Sequence, residues 1–226
     1  MSMLSLVKGD FRLQYKYGFY MLYLLLCALY AGVLLLLPED IRGMAAVIMI
    51  FSDPAAMGLF FLGAMVLFEQ SQHVVQSLAV SPVSAKEYVL SKLLSLSLVS
   101  TGAGLLIALF AAGSLNILSL LPGVFLGSLL FSAVGMILAA HAATLNRFLL
   151  STVPAEILII LPAVAWLFGI RPEALILHPG VCVIVLLKGS EHLWTALSVL
   201  VLWTVGFFLL AARSAGRMLS RMGGRV

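Results

Sequence analysis

Four polar residues lie closest to the apolar runs of this sequence: Asp53, His141, Glu156 and His178. Histidine and carboxylate side chains ligate metals or shuttle protons, but both uses need partners at short, regular spacing on one element. No pair here has that spacing. His141, in Ala-Ala-His-Ala-Ala, reads as a hydrogen bond to a neighbouring helix, and His178 before Pro179-Gly180 as turn chemistry. Glu156 follows Pro154, where a first-turn acid would answer the positive end of a helix dipole; a transport role is its alternative. No serine stands in a nucleophile-elbow context, and no G-x-x-x-x-G-K-[ST] phosphate loop occurs. Catalytic residues and a metal site are therefore not expected on this chain.

The richest polar stretch is residues 69–92, E-Q-S-Q-H-V-V-Q-S-L-A-V-S-P-V-S-A-K-E-Y-V-L-S-K, set between two apolar runs. Glu69 closes a hydrophobic run, where an acid must reach the interface or pair with a base. Across 70–80, Val74, Val75 and Leu78 recur at helical spacing amid glutamines and His73, which predicts a short amphipathic helix. Ser81-Pro82 stops it, because the residue before proline is pushed out of the α region. Ser84-Ala-Lys-Glu87 is a capping box, with each of the outer two satisfying the other's backbone N–H, so the next helix starts at Ser84. Helix, break and capped helix read either as a stiff elbow that passes a push to two spans or as a turn that only reverses the chain.

Composition says what holds this stretch. Hydrophobic residues make up 63% of the chain and charged residues 10%, with a mean hydropathy of +1.17, far from the roughly 25% charged of soluble domains. The apolar runs are continuous rather than alternating, which excludes a membrane barrel and predicts an all-α, polytopic membrane protein forming a single domain. Six runs approach the ~20 residues a crossing needs: 17–37, 54–68, 89–112, 120–143, 154–169 and 192–212. The second is short, with a slanted entry near Asp53 and Pro54. The stretch 174–187 is broken by Pro179-Gly180 and reads as a re-entrant hairpin. Lys and Arg collect on the cytoplasmic side of membrane proteins. With six spans and both termini cytoplasmic, the inner segments hold Lys8, Arg12, Lys16, Lys86, Lys92, Arg147, Arg213, Arg217, Arg221 and Arg225, and the outer ones only Arg42, Arg171 and Lys188. A hairpin that crossed fully would erase this asymmetry. Most acids, Glu39, Asp40, Asp53, Glu173 and Glu191, then fall outside.

Before the first span, Leu4, Val7, Phe11 and Tyr15 recur at helical spacing beside a row of Lys8, Arg12 and Lys16. This predicts an interfacial elbow helix over 1–16, apolar side toward lipid; an ordinary positive flank is the alternative. The run behind it is full-length and has no small-residue cleavage site, so a retained helix is expected. Arg213, Arg217, Arg221 and Arg225 recur every fourth residue, extending the last helix toward lipid headgroups against the fraying tendency of Gly216, Gly223 and Gly224. Cys27 and Cys182 sit in apolar surroundings and read as packing residues. Gly123, Gly127 and Gly135 suit close helix packing, and scattered Ser, Thr and Asn116 give no polar ring of a channel.

These residues carry a resemblance. The chain resembles the permease of type-2 ABC exporters in its amino-terminal elbow, its Glu69-ended second span, its short coupling helix with Leu78, and Ser81-Pro82-Val83-Ser84 with Glu87-Tyr88 and Lys92 before the third span. K-G-D-F-R-L-Q-Y-K-Y-G-F-Y and S-L-A-V-S-P-V look closest to the fluoroquinolone-export type, although His73-Val74-Val75-Gln76 stands where many relatives have Gly-Thr-hydrophobic-Glu. The resemblance implies an exporter of amphipathic or hydrophobic compounds in a cell inner or plasma membrane. It implies partners too: a second permease subunit, separate ABC ATPase subunits holding the ATP and magnesium, and membrane lipid, with no cofactor on this chain and no nucleic acid. By the same resemblance Glu69, His73, Gln76, Leu78, Ser81, Pro82, Ser84 and Glu87 form the ATPase-coupling surface, and Tyr23, Tyr30, Trp166 and Phe168 the translocation surface. A haem-exporter-like permease is the runner-up, and an integral membrane enzyme acting on lipid is the alternative from another class.

Overall fold

The computed structural model describes residues 3–79, 83–111, 113, 115–189 and 191–222, and among them the chain is helical without strands. Six helical stretches are long and apolar enough to cross a membrane, so the chain is an all-α, multi-pass membrane protein. In order, the α-helices among the described residues are α1 (Met3–Lys16), α2 (Phe19–Leu36), α3 (Glu39–Ile50), α4 (Met57–Ser71), α5 (Val74–Ala79), α6 (Ala85–Ala108), α7 (Ile117–His141), α8 (Leu145–Leu167), α9 (Pro179–Lys188) and α10 (Leu193–Met222), and the spans are α2, α3 with α4, α6, α7, α8 and α10.

The bundle is built around α7, which packs on α4, α6, α9 and α10. Small residues allow it: a Cβ at Gly135 would overlap the backbone of Leu59, one at Gly58 would meet Ser128 and Ser132, and one at Gly123 would press on Leu186. Such close approach is how membrane helices associate when lipid is as apolar as their side chains. In contrast, α2 and α8 are the least covered of the spans, with 17% and 22% of their apolar windows buried.

Several boundaries depart from the sequence reading. The second span is not 54–68: helix continues from Glu39 to Ser71, through a π-helical turn at Phe51–Ala55 that joins α3 to α4. Proline lacks the N–H that an α-helix requires, and the wider π turn absorbs Pro54 without ending the helix. Asp53 therefore lies inside a span, not in an outer loop. The fifth span, α8, begins at Leu145, capped by Thr144, whose Oγ1 accepts from the Arg147 N–H at 3.3 Å. Glu156 is thus in the helix interior, half-buried, and not in a first turn. Pro154 and Pro162 both ride within α8. The last helix runs on through Gly216 to Met222, beyond the span's end at 212, as the four-residue spacing of its arginines suggested. Residues 223–226, with Gly223, Gly224 and Arg225, lie outside the described residues.

The amino-terminal helix packs on the bundle by polar residues. Asp10 and Gln14 are its buried residues, turned onto α6, while Leu4 and Tyr15 are 81% and 78% exposed. In a bilayer the polar face seeks the protein and the apolar face is left for lipid, the reverse of a soluble amphipathic helix. Gly18, at φ 74, makes the corner between α1 and α2. Between α8 and α10, a 3₁₀ turn at Glu173–Leu177 leads into the short α9, apolar up to its closing Lys188, which has Pro179 at its start and is buried from Pro179 to Leu187 against α7, α8 and α10. Cys27 and Cys182 are both buried and free.

Candidate functional site

At the start of α6 the capping box is formed: Ser84 Oγ accepts from the Glu87 N–H at 3.2 Å, and Glu87 Oε2 accepts from the Ser84 N–H at 2.9 Å. This fixes the phase of the helix, so that Tyr88, Ser91, Lys92 and Ser95, at i, i+3, i+4 and i+7, share one face. That face meets Asp10 and Gln14 of α1 and Glu69 of α4.

The result is a buried charge network. Lys92, 1% exposed, donates to Asp10 Oδ1 at 2.9 Å and to Glu69 Oε1. The second oxygen of each carboxylate is also served: Ser91 Oγ donates to Asp10 Oδ2 and Tyr88 Oη to Glu69 Oε2, each at 2.7 Å. The Lys92 ammonium lies 4.9 Å from the centroid of the Tyr88 ring. Gln14 Nε2 donates to Ser95 Oγ at 2.8 Å. Further along α6 the same side holds α2, through Tyr23 Oη and Ser100 Oγ at 3.1 Å and Cys27 Sγ to the Ala103 carbonyl at 3.7 Å. Two buried carboxylates around one ammonium are tolerable only with such complete hydrogen bonding, since removing one partner strands a desolvated charge. Mechanically, the network locks α1, α4 and α6 together. Among the described residues no group of three or more His, Cys, Asp or Glu could hold a metal ion.

Next to this lock sits the short helix α5. Residues 70–80 do not form one continuous helix: α4 runs to Ser71, and His73, at φ 60, makes a left-handed corner before α5 starts at Val74. Glutamine 72 and His73 have polar side chains that are exposed, so nothing apolar at the end of α4 favours continuing the helix. Val75 is fully buried, and α5 packs on α10 and α4. Gln70 Nε2 lies 2.9 Å from Met218 Sδ of α10.

The sequence-predicted residues are thus dispersed in role. Glu69 is turned inward to Lys92, so it does not face outward as part of a docking surface. His73 and Gln76 are exposed, as is Ser84, with Glu87 half-buried. Leu78 belongs to α5, but its side chain, together with Ser81 and Pro82, lies outside the described residues. Of the residues assigned to a translocation surface, Tyr23 is 5% exposed and packs edge-on against Phe61 at 5.1 Å between centroids; its hydroxyl and ring are satisfied inside the subunit, and it lines no surface. Tyr30 and Trp166 are half-buried and Phe168 is exposed. Trp166 and Arg171, 5.9 Å apart as a cation–π pair, line a cavity of about 940 Å³ with Glu173, Lys188, Glu191 and His192, at the end of the bundle opposite α5.

Sequence reasoning missed Asp10, Gln14, Lys92 and Tyr88 as a unit. A signal existed: S-K-L-L-S-L-S-L-V-S puts a lysine and serines on one side of an otherwise apolar helix, and Asp10 is the single acid among the bases of α1.

The model of the fluoroquinolones export permease protein family matches residues 1–222. A fluoroquinolones export permease protein of Mycobacterium tuberculosis, in strains CDC 1551 and H37Rv, is 27% identical over 146 residues, covering 64% of this chain. The match spans 62% of the length of these relatives.

Proposed function

Since this chain belongs to the fluoroquinolones export permease protein family, we propose that it is the membrane half of an ATP-driven ABC exporter. Two permease subunits, identical or related, pair with two separate ATPase subunits that carry ATP and magnesium. Together they move an amphipathic or hydrophobic compound outward across a cell inner or plasma membrane. A fluoroquinolone-like drug fits the relatives' names; a lipid-like compound fits the apolar walls equally. Both termini are cytoplasmic, α1 lies along the inner interface as an elbow, and the 3₁₀ turn with α9 forms a re-entrant hairpin on the outer side.

The observation that carries this reading is the lock beside α5. Force entering at a short helix is useful only if the helices around it move as one body, and the Asp10–Lys92–Glu69 network joins α1, α4 and α6 at the same end as α5. His73, Gln76, Ser84 and Glu87 are the groups available to meet an ATPase there, with Leu78, Ser81 and Pro82 assigned to the same surface. Glu69 acts from behind it, as a brace. The test is co-purification with the ATPase and a transport assay on Val75→Asp, which places a charge in the seat of α5. The variant should still insert, lose its ATPase partner, and transport nothing. Normal pairing and transport would refute the coupling role.

A further inference from the structure

Among the described residues, Asp53 is an ionisable group deep in a span with a shielded, unpartnered oxygen. Among the described residues no cation pairs with it, and its Oδ2 is shielded with no hydrogen-bond partner. It sits in the π-helical turn Phe51–Ala55, and such turns concentrate at functional sites. At 1.5 Å per residue it is about 16 Å along the helix from Arg42 and about 24 Å from Glu69, well inside a hydrocarbon layer roughly 30 Å thick. Arg42, the nearest base on its own helix, is committed to the Leu37 carbonyl at 2.9 Å.

The side of the helix that Asp53 occupies is covered: Ala46, Ile50 and Ala56, at helical spacing from it, are buried at 0–1%, and Asp53 itself is half-buried, while the exposed side carries Ile41, Ile48 and Ser52. An intramembrane carboxylate left facing lipid is costly, and such groups face a bundle interior or a water-filled path. A second copy of this chain has no free cation to offer at that depth: within the spans, Lys and Arg other than the paired Lys92 stand only near the ends.

We propose that Asp53 is the binding carboxylate for an organic cation, an ammonium on the transported compound, at the π turn of this span. The proposal rests on the exporter reading for its transport aspect, but the site itself can be tested by binding alone. Two dansyl probes serve, one with a tertiary ammonium and one with a hydroxyl in its place, titrated into the purified full-length permease by fluorescence. Asp53→Asn should weaken the ammonium probe about tenfold or more, as expected for loss of a charged hydrogen bond, and leave the hydroxyl probe unchanged. Asp53→Glu should recover most of the difference. Unchanged ammonium binding in Asp53→Asn, as a permanently protonated carboxyl would give, overturns the proposal, as does an equal loss for both probes or no selectivity in the wild type. If the wild type binds with the expected selectivity but ATP with the purified ATPase drives no uptake into inverted vesicles, the exporter reading fails while the site stands.

Discussion

Replacing Lys92 by Met tests the lock directly. The ammonium is 1% exposed, and Asp10 and Glu69 are 6% and 5% exposed, so Lys92→Met leaves two carboxylates close together with no cation and little water. Breaking a buried ion network by removing one partner costs about 3–5 kcal/mol. At about 2–4 °C per kcal/mol for a chain of this size, that is a fall in Tm of roughly 6–20 °C. The assay is thermal melting in detergent, followed by size exclusion. The control is the triple variant Asp10→Asn, Glu69→Gln, Lys92→Met, which removes every charge and keeps the shapes similar; replacing a whole buried ion network is often close to neutral. It should melt far closer to the wild type than the single variant does. A loss below about 4 °C for Lys92→Met, or a triple variant no better than the single, would refute the claim that these charges are desolvated and mutually dependent.

Two further tests address packing and backbone. Gly135→Ala should force α4 and α7 apart, because the added methyl meets the Leu59 backbone, whereas Gly102→Ala, with nothing within 4 Å of its new Cβ, should be neutral or stabilising by up to about 1 kcal/mol; equal effects on Tm would contradict the α4–α7 contact. His73→Gly should stabilise the corner before α5 by about 1 kcal/mol, because glycine takes a φ of 60 without a side-chain clash, and a lower Tm would show that the imidazole itself holds the turn.

How far the sequence disclosed the molecule depends on which forces act locally. The start of α6 could be read residue by residue, since the Ser84–Glu87 box is closed within one turn. The number of spans followed from the length of the apolar runs. Asp53-Pro54 misled the reading of the second span, because whether proline ends a helix or is absorbed in a π turn is decided by packing against α6, α7 and α9, not by neighbours in the chain. Glu156 misled in the same way, with Pro154 taken as a start when α8 had already run from Leu145. Half of the lock was visible: Glu69 required a base. That the base is Lys92, and that α1 brings Asp10 to the same ammonium, depends on contacts between residues 23 and 82 positions apart.

The corner between α2 and α3 is only Leu37-Pro38. With so little slack, the far end of α2 must travel with the far end of the helical beam from Glu39 to Ser71, whose near end is clamped to α1 and α6. Tilting the clamped end therefore swings α2 from its opposite tip, as a short crank is turned by a long handle. The residues of α2 nearest that tip should sweep the greatest distance in each cycle.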